Sequence, residues 1–310
     1  MTTHDNPLLQ FDGLPRFAAF RPDCVTPAIE QLLAEARAAV ARAEDPATPP
    51  SWDEFVQPLE DATERLGRAW GIVSHLNSVA DTPELRATYN DNLPKVTEFW
   101  TALGQNQALF EKYKALHGSA EFGALGPARR RIVENALRDF RLGGAELISP
   151  ARERYADIQE RQAQLAQKFS EHVLDATRDF GLLIEDPARL DGLPDDAIAA
   201  ARQDAERDGK PGWKFTLQFP SYFPVMQYAR DRSLRETMYR AYVTRASELG
   251  KPEWNNAPII DELIALRDEE AKLLGYRNFA EVSLVPKMAE SPQQVVDFLR
   301  DLSRCANGFA

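Results

Sequence analysis

Four histidines, at positions 4, 75, 117 and 172, have the widest chemical reach in this sequence. Imidazole titrates nearest neutrality and is the commonest metal ligand among the side chains. A peptidase-type zinc helix needs two histidines four residues apart on one face, with a glutamate between them as general base. His4 is followed by Asp5, His75 by Leu76, His117 by Gly118 and His172 by Val173, and none has a second histidine at the required spacing. No glutamate stands three residues before any of them, as di-metal carboxylate bundles require. Glu171 precedes His172, but adjacent helical residues point about 100° apart and do not chelate together. All four histidines read as structural or solvated.

Other chemistries are equally thin. Cys24 has no visible activating partner and Cys305 sits in the terminal helix, whereas a catalytic thiol needs a nearby base or cation to lower its pKa. No Gly-x-Gly-x-x-Gly or Walker loop occurs, and Gly143-Gly144 lacks a preceding strand. The carboxylate pairs Asp195-Asp196 and Glu269-Glu270 fall on polar helix faces, where solvation is their ordinary role. The densest constellation is aromatic: Trp213, Phe215, Phe219, Tyr222, Phe223 and Tyr228, then Tyr239 and Tyr242. Such a set can line a peptide groove or fill a core at a strand-to-helix junction, and aromatics dominate cores by buried area.

Composition narrows the classes further. The chain has 310 residues, 44% of them apolar, and a formal net charge of -11 from 48 acidic and 37 basic side chains. An acidic protein is poorly suited to nucleic acid, whose binding rests on neutralising phosphates. The one dense basic run, Arg129-Arg130-Arg131, reads as a solvated helix face. No segment has the ~20 apolar residues that span a bilayer, and no secretory signal is visible at Met1 to Pro7. Two isolated cysteines fit a reducing compartment. The expectation is a cytoplasmic protein without nucleic-acid or membrane partners.

The elements that would position these residues are mostly helical. Thr26-Pro27, Thr82-Pro83, Ser149-Pro150 and Ser291-Pro292 each place a hydroxyl at an N-cap and proline at the first helical position. Ser51 and Glu54 have the spacing of a capping box. Apolar residues recur at helical spacing from Pro27 to about Glu44, from Trp52 to about Ala80 and from Pro150 to about Asp179. The last two helices would each be roughly 40 Å long and are expected to pack on one another. Pro94 is expected to break a helix. Phe180 to Ile184 and Lys214 to Phe219 read as strands, with a helix from Pro194 to Arg207 between them. Beyond Ser221 the pattern is helical again, with Asn256 as a cap and Gly275 as a stop.

Several strings together resemble a known family. They are Asn6 to Leu9, Trp70 to Val79, Phe140 to Leu147, Gly212 to Met226, Leu234 to Tyr242, Asp261 to Arg267 and Lys287 to Pro292. They are similar to the thimet oligopeptidase/neurolysin family of zinc metallopeptidases, over nearly the whole chain. The resemblance implies a predominantly α-helical fold with a small β element near residues 180–219, forming the N-terminal half of a channel. Residues 1–220 would form the N-terminal helical domain, and 221–310 the truncated start of the catalytic domain.

The family hydrolyses short peptides with zinc held by two histidines and a distal glutamate, beside a general-base glutamate. None of those positions exists here, so no catalytic or metal-ligating residue can be carried over, and no zinc is expected on this chain alone. Tyr222, Phe223, Tyr239 and Tyr242 become candidates for the substrate channel. From about Leu302 the sequence leaves the family pattern and ends at Ala310. Two readings stand: part of a zinc oligopeptidase, inactive alone, or a free-standing helical binding or scaffold protein. The first leaves apolar faces bare at Ile259, Leu263, Leu266 and Leu273, and at Val295, Phe298, Leu299 and Leu302, and so implies self-association.

Overall fold

The computed structural model describes residues 6–309 of the chain. Among them the helices before the sheet are α1 (Val25–Glu44), α2 (Gln57–Val79), α3 (Pro83–Gly104), α4 (Gln107–His117), α5 (Ala120–Ala124), α6 (Pro127–Leu142) and α7 (Ala151–Asp179). Then come β1 (Gly181–Ile184), α8 (Asp195–Arg207), β2 (Trp213–Thr216), α9 (Phe219–Tyr228) and α10 (Arg232–Thr244). The last are α11 (Ala257–Leu273), α12 (Phe279–Leu284) and α13 (Pro292–Ala306). The fold is therefore helical with one small β element, as the sequence implies. β1 and β2 pair antiparallel, Gly181 opposite Thr216 and Ile184 opposite Trp213. Gly212 enters β2 at φ +94°, and a Cβ there would lie 2.3 Å from the Ile184 carbonyl oxygen, so the approach demands glycine.

Helix starts follow the expected chemistry in part. Thr82 accepts a hydrogen bond from the Leu85 N–H at 3.2 Å, and Ser291 accepts from Gln294 at 3.2 Å. Ser51 accepts from Glu54 at 3.3 Å, but its own N–H donates to the Pro49 carbonyl, so the box is half made. The other two hydroxyls do not cap. Thr26 lies inside α1, which grows from a preceding 3-10 turn at Pro22–Cys24, and its hydroxyl accepts from Asn92 at 2.8 Å. Ser149 donates to the Glu153 carboxylate at 2.5 Å. At α11 the side chain of Asn255, not Asn256, accepts from the Ala257 N–H at 3.0 Å.

Two proline-bearing segments also depart from expectation. Pro94 lies within α3 and does not end it. Proline in a helix interior costs about 3 kcal/mol. Tyr89, Val96 and Phe99, on the turns either side, are buried, and burying such apolar side chains at roughly 1.5–3 kcal/mol each offsets that cost. The segment Trp52–Val56 is π-helical rather than α-helical, with the Val56 N–H reaching Ser51 five residues back.

The chain forms two compact units. One combines the described residues up to Ala163 with those from Leu266 onward; the other is Gln164–Ala265. In the first, α1 lies along α2 and α3, and Ile29, Leu32, Leu66, Val73 and Phe99 share a core. α2 thus finds its long partner in α1, not in α7 as the sequence suggested. A second core joins Phe55, Leu109, Phe110, Tyr113 and Phe140. The ends of α3 and α6 come together at two glycines: a Cβ on Gly143 would stand 2.8 Å from Gly104 Cα. The start of α7 is tied there by Tyr155, whose hydroxyl donates to the Leu142 carbonyl at 2.8 Å. No residue of α13 is buried; Phe298 is 63% exposed, Leu299 56% and Leu302 50%.

In the second unit Ile184, Phe215, Leu217, Val225, Leu234 and Met238 form one core. Residues on both sides of position 220 therefore share it. Asn256 is buried and anchors to α7: it donates to the Phe169 carbonyl at 3.1 Å and accepts from His172 Nδ1 at 2.8 Å.

Candidate functional site

The aromatic residues singled out in the sequence divide by depth, all within the second unit. Phe215 is buried in the core, and Trp213, Tyr222 and Tyr242 pack partly buried against it. Phe219, Phe223, Tyr228 and Tyr239 are exposed. Core packing and surface display are thus both present, on neighbouring residues.

The local sequence dictates this arrangement. Phe219, Tyr222 and Phe223 stand at helical spacing on α9 and share a face. Phe219 and Phe223 stack with centroids 4.9 Å apart. α10 is fixed beside α9 by Leu234 and Met238, which are buried. Its start is capped by Asp231, which accepts from the N–H groups of Ser233 at 2.8 Å and Leu234 at 3.2 Å. Arg189 donates to Asp231 at 2.7 Å and, with Ser233, holds that carboxyl well below the ordinary carboxylate range.

With α10 so placed, Tyr242 stacks on Tyr222, centroids 4.0 Å apart and planes 12° off parallel. Arg245 places its guanidinium carbon 3.6 Å from the Tyr242 ring centre and donates through Nη1 to the Tyr242 carbonyl at 2.8 Å. Two groups that close to one ring cannot share a face, so the order is Arg245, Tyr242, Tyr222. Burial raises the Tyr222 pKa, Tyr242 and Tyr239 add to the rise, and Arg245 opposes it. The Tyr222 phenol therefore stays neutral near pH 7. The aromatic set offers O–H groups and π-faces, which suits the backbone and apolar side chains of an extended chain. Of the four candidates Tyr222, Phe223, Tyr239 and Tyr242, the structure stacks Tyr222 on Tyr242 and leaves Phe223 and Tyr239 exposed on the same two helices; Arg245 carried no signal in the sequence, because its role comes from stacking on a ring three residues away at a helix end.

Zinc, implied for the family, finds no donor set among the described residues. His75 lies against the Phe17 ring and His117 against Phe122. His172 is bonded to Asn256, and His4 lies outside the described residues. Among the described residues no group of three His, Cys, Asp or Glu could hold a metal ion. The residues do not fit the metal, and no chemical step runs through it. No helix among the described residues is long and apolar enough to cross a membrane.

Comparison with known proteins bears on both units. Residues 29–152 match the model of the neurolysin/thimet oligopeptidase N-terminal domain, and residues 225–307 match that of peptidase family M3. The chain is 46% identical over 304 residues to oligopeptidase A of Haemophilus influenzae, covering 97% of this chain and 44% of the relative. It is 45% identical over 303 residues to oligopeptidase A of Salmonella typhimurium, covering 97% of this chain and 45% of that protein. A probable cytosolic oligopeptidase A of Arabidopsis thaliana is 40% identical over 311 residues, with 97% of this chain and 44% of that protein covered. The chain thus spans less than half the length of the curated relatives it matches. Over 97% of its own length the chain is similar to oligopeptidases A, and two separate stretches of it match models of the neurolysin/thimet oligopeptidase N-terminal domain and of peptidase family M3.

Proposed function

We propose that this chain supplies the helical, peptide-facing portion of an oligopeptidase A-like zinc metalloendopeptidase of the cytoplasm. The observation that carries it is identity of 45–46% to oligopeptidases A across 97% of the chain. The aromatic face of α9 and α10 is the surface along which a short peptide runs. Exposed Phe223 and Tyr239 meet the peptide, and the half-buried stack of Tyr222, Tyr242 and Arg245 keeps that face rigid. The division into residues 1–220 and 221–310, as helical domain and opening of the catalytic domain, belongs to the same proposal.

The 310 residues alone are expected to bind no zinc and to hydrolyse no peptide. That expectation is supported by the missing His-Glu-x-x-His run in the sequence and by the lack of a three-ligand cluster among the described residues. Incubation of the purified chain with a fluorogenic short peptide and added zinc or cobalt tests it. Turnover above a mock purification, abolished by a chelator, would overturn it. Peptide contact is tested by crosslinking a photoreactive pentapeptide. Labelling is expected on α9 and α10 and is expected to drop about fivefold in a Phe223→Ala/Tyr239→Ala double variant. Labelling unaffected by that pair rejects the aromatic face.

The exposed apolar face of α13 supports self-association of this chain. Sedimentation velocity is expected to show dimers or larger species at micromolar concentration, and a strictly monomeric chain would contradict it.

A further inference from the structure

A cavity of about 760 Å³ opens in the first unit between α2, α3, α4 and α6. That volume lies within the range of small-molecule sites. Its walls are largely apolar, with Leu59, Leu103 and Phe140 inside and Trp100 half-exposed at the edge. Gly67 on α2 faces open space, since a Cβ there would meet no atom within 4 Å.

One ionisable group is recessed among these walls without a counter-charge. The Glu60 carboxylate accepts from the buried Tyr113 hydroxyl at 3.4 Å. Burial raises its pKa, nearby Asp61 raises it further, and only the Tyr113 hydroxyl opposes, with no cation contributing. The other charges around the opening already have partners. Asp139 accepts from Arg138 through both oxygens, at 2.8 and 3.1 Å. Arg68 lies 3.6 Å from Glu64 and donates to the Phe11 carbonyl at 3.1 Å. A half-buried carboxylate in a mostly apolar space is costly until a cation reaches it.

We propose that this cavity is a binding site for an ammonium group carried on an apolar body, such as the free amino end of a short apolar peptide, with Glu60 receiving the charge. One Glu60 oxygen is already engaged by Tyr113, which leaves a better fit for the compact ammonium than for a planar guanidinium fork. The apolar part fills the space against Leu103, Phe140 and Trp100. A carboxylate is repelled by Glu60 and Glu64. The site is distinct from the aromatic face of the second unit, and either can fail alone.

The test uses the whole 310-residue chain at pH 6.5, below the ~7.7–8.0 pKa of a peptide amino group. It is titrated with leucyl-phenylalanine amide and with its N-acetylated form, following the Trp100 indole N–H resonance, assigned through Trp100→Phe. The free amine is expected to shift Trp100 and to bind at least about tenfold more tightly than the acetylated form. Glu60→Gln is expected to bring the two ligands to equal affinity. Gly67→Leu, whose Cβ would meet no atom within 4 Å, is expected to occupy the space, abolish binding and leave the melting temperature unchanged or raised. Thermal melting confirms that each variant is folded. Equal affinity of the two ligands for the unaltered chain, undiminished binding by Glu60→Gln, or no shift at Trp100 with millimolar amine overturns the proposal.

Discussion

α1 and α13 carry the same kind of apolar stripe and meet opposite fates. In α1, Ile29 and Leu32 are fully buried, covered by α2 and α3. In α13, Phe298, Leu299 and Leu302 stand half or more exposed. A helical period in sequence announces an apolar face but says nothing about what covers it. Covering one such side chain is worth about 1.5–3 kcal/mol, so the two helices differ greatly in what they contribute to stability.

That contrast can be broken most directly at the covered face. Leu32→Ala and Leu66→Ala each leave a cavity in the first core and are expected to cost about 2–5 kcal/mol, measured by denaturant unfolding. A loss below about 1 kcal/mol would mean that the core relaxes and that α1 is no better held than α13. The glycine contact is a harsher packing test in a smaller volume. Gly143→Ala puts a Cβ 2.8 Å from Gly104 Cα, and the displaced backbone is expected to cost about 1–3 kcal/mol. Gly67→Ala, with open space around it, is expected to stabilise the helix by about 1 kcal/mol.

The second unit offers a polar counterpart. Asp231→Ala removes an N-cap and the partner of Arg189, an expected loss of about 0.5–2 kcal/mol. The folded carboxyl titrates below its unfolded value. Its stabilisation is therefore complete above the unfolded pKa of about 3.9 and fades as pH falls toward the folded value. The difference between the two proteins in unfolding free energy is expected to be constant from pH 7 to about 5 and to begin narrowing below about pH 4. The smallest effect on folding is expected at the bare face: Phe298→Ser with Leu302→Ser changes stability by less than about 0.5 kcal/mol and reduces self-association in sedimentation velocity. A loss above about 2 kcal/mol would show that the face of α13 is covered in solution, and the comparison with α1 would fall.

The helices, the paired strands and the aromatic neighbours were legible because each rests on local order. Thr82 and Ser291 cap as written, and the apolar stripe of α1 points to the core that buries it. What failed depends on residues distant in sequence. Thr26 gave up capping because Asn92, 66 positions away, competes for its hydroxyl. Pro94 was tolerated because α1 covers the turns beside it. α2 chose α1 over α7, a matter of partner rather than period. The aromatic set carried no depth label, so Phe215 and Phe219 read alike although one is buried and the other largely exposed. Glu60 went unremarked because a glutamate on a polar helix is ordinary; only the cavity around it makes it unusual.

The close approach of Gly104 and Gly143 has a consequence for the space those two residues help enclose. Part of the wall there is main chain, which has no rotamers. That stretch cannot close over the opening by a side-chain flip, nor does it lose side-chain entropy when a guest arrives. Its shape is set by the junction of two helix ends, so the site is preorganised along one edge. Trp100, 38% exposed on the turn of α3 before Gly104, is the side chain of that wall that a guest would have to order.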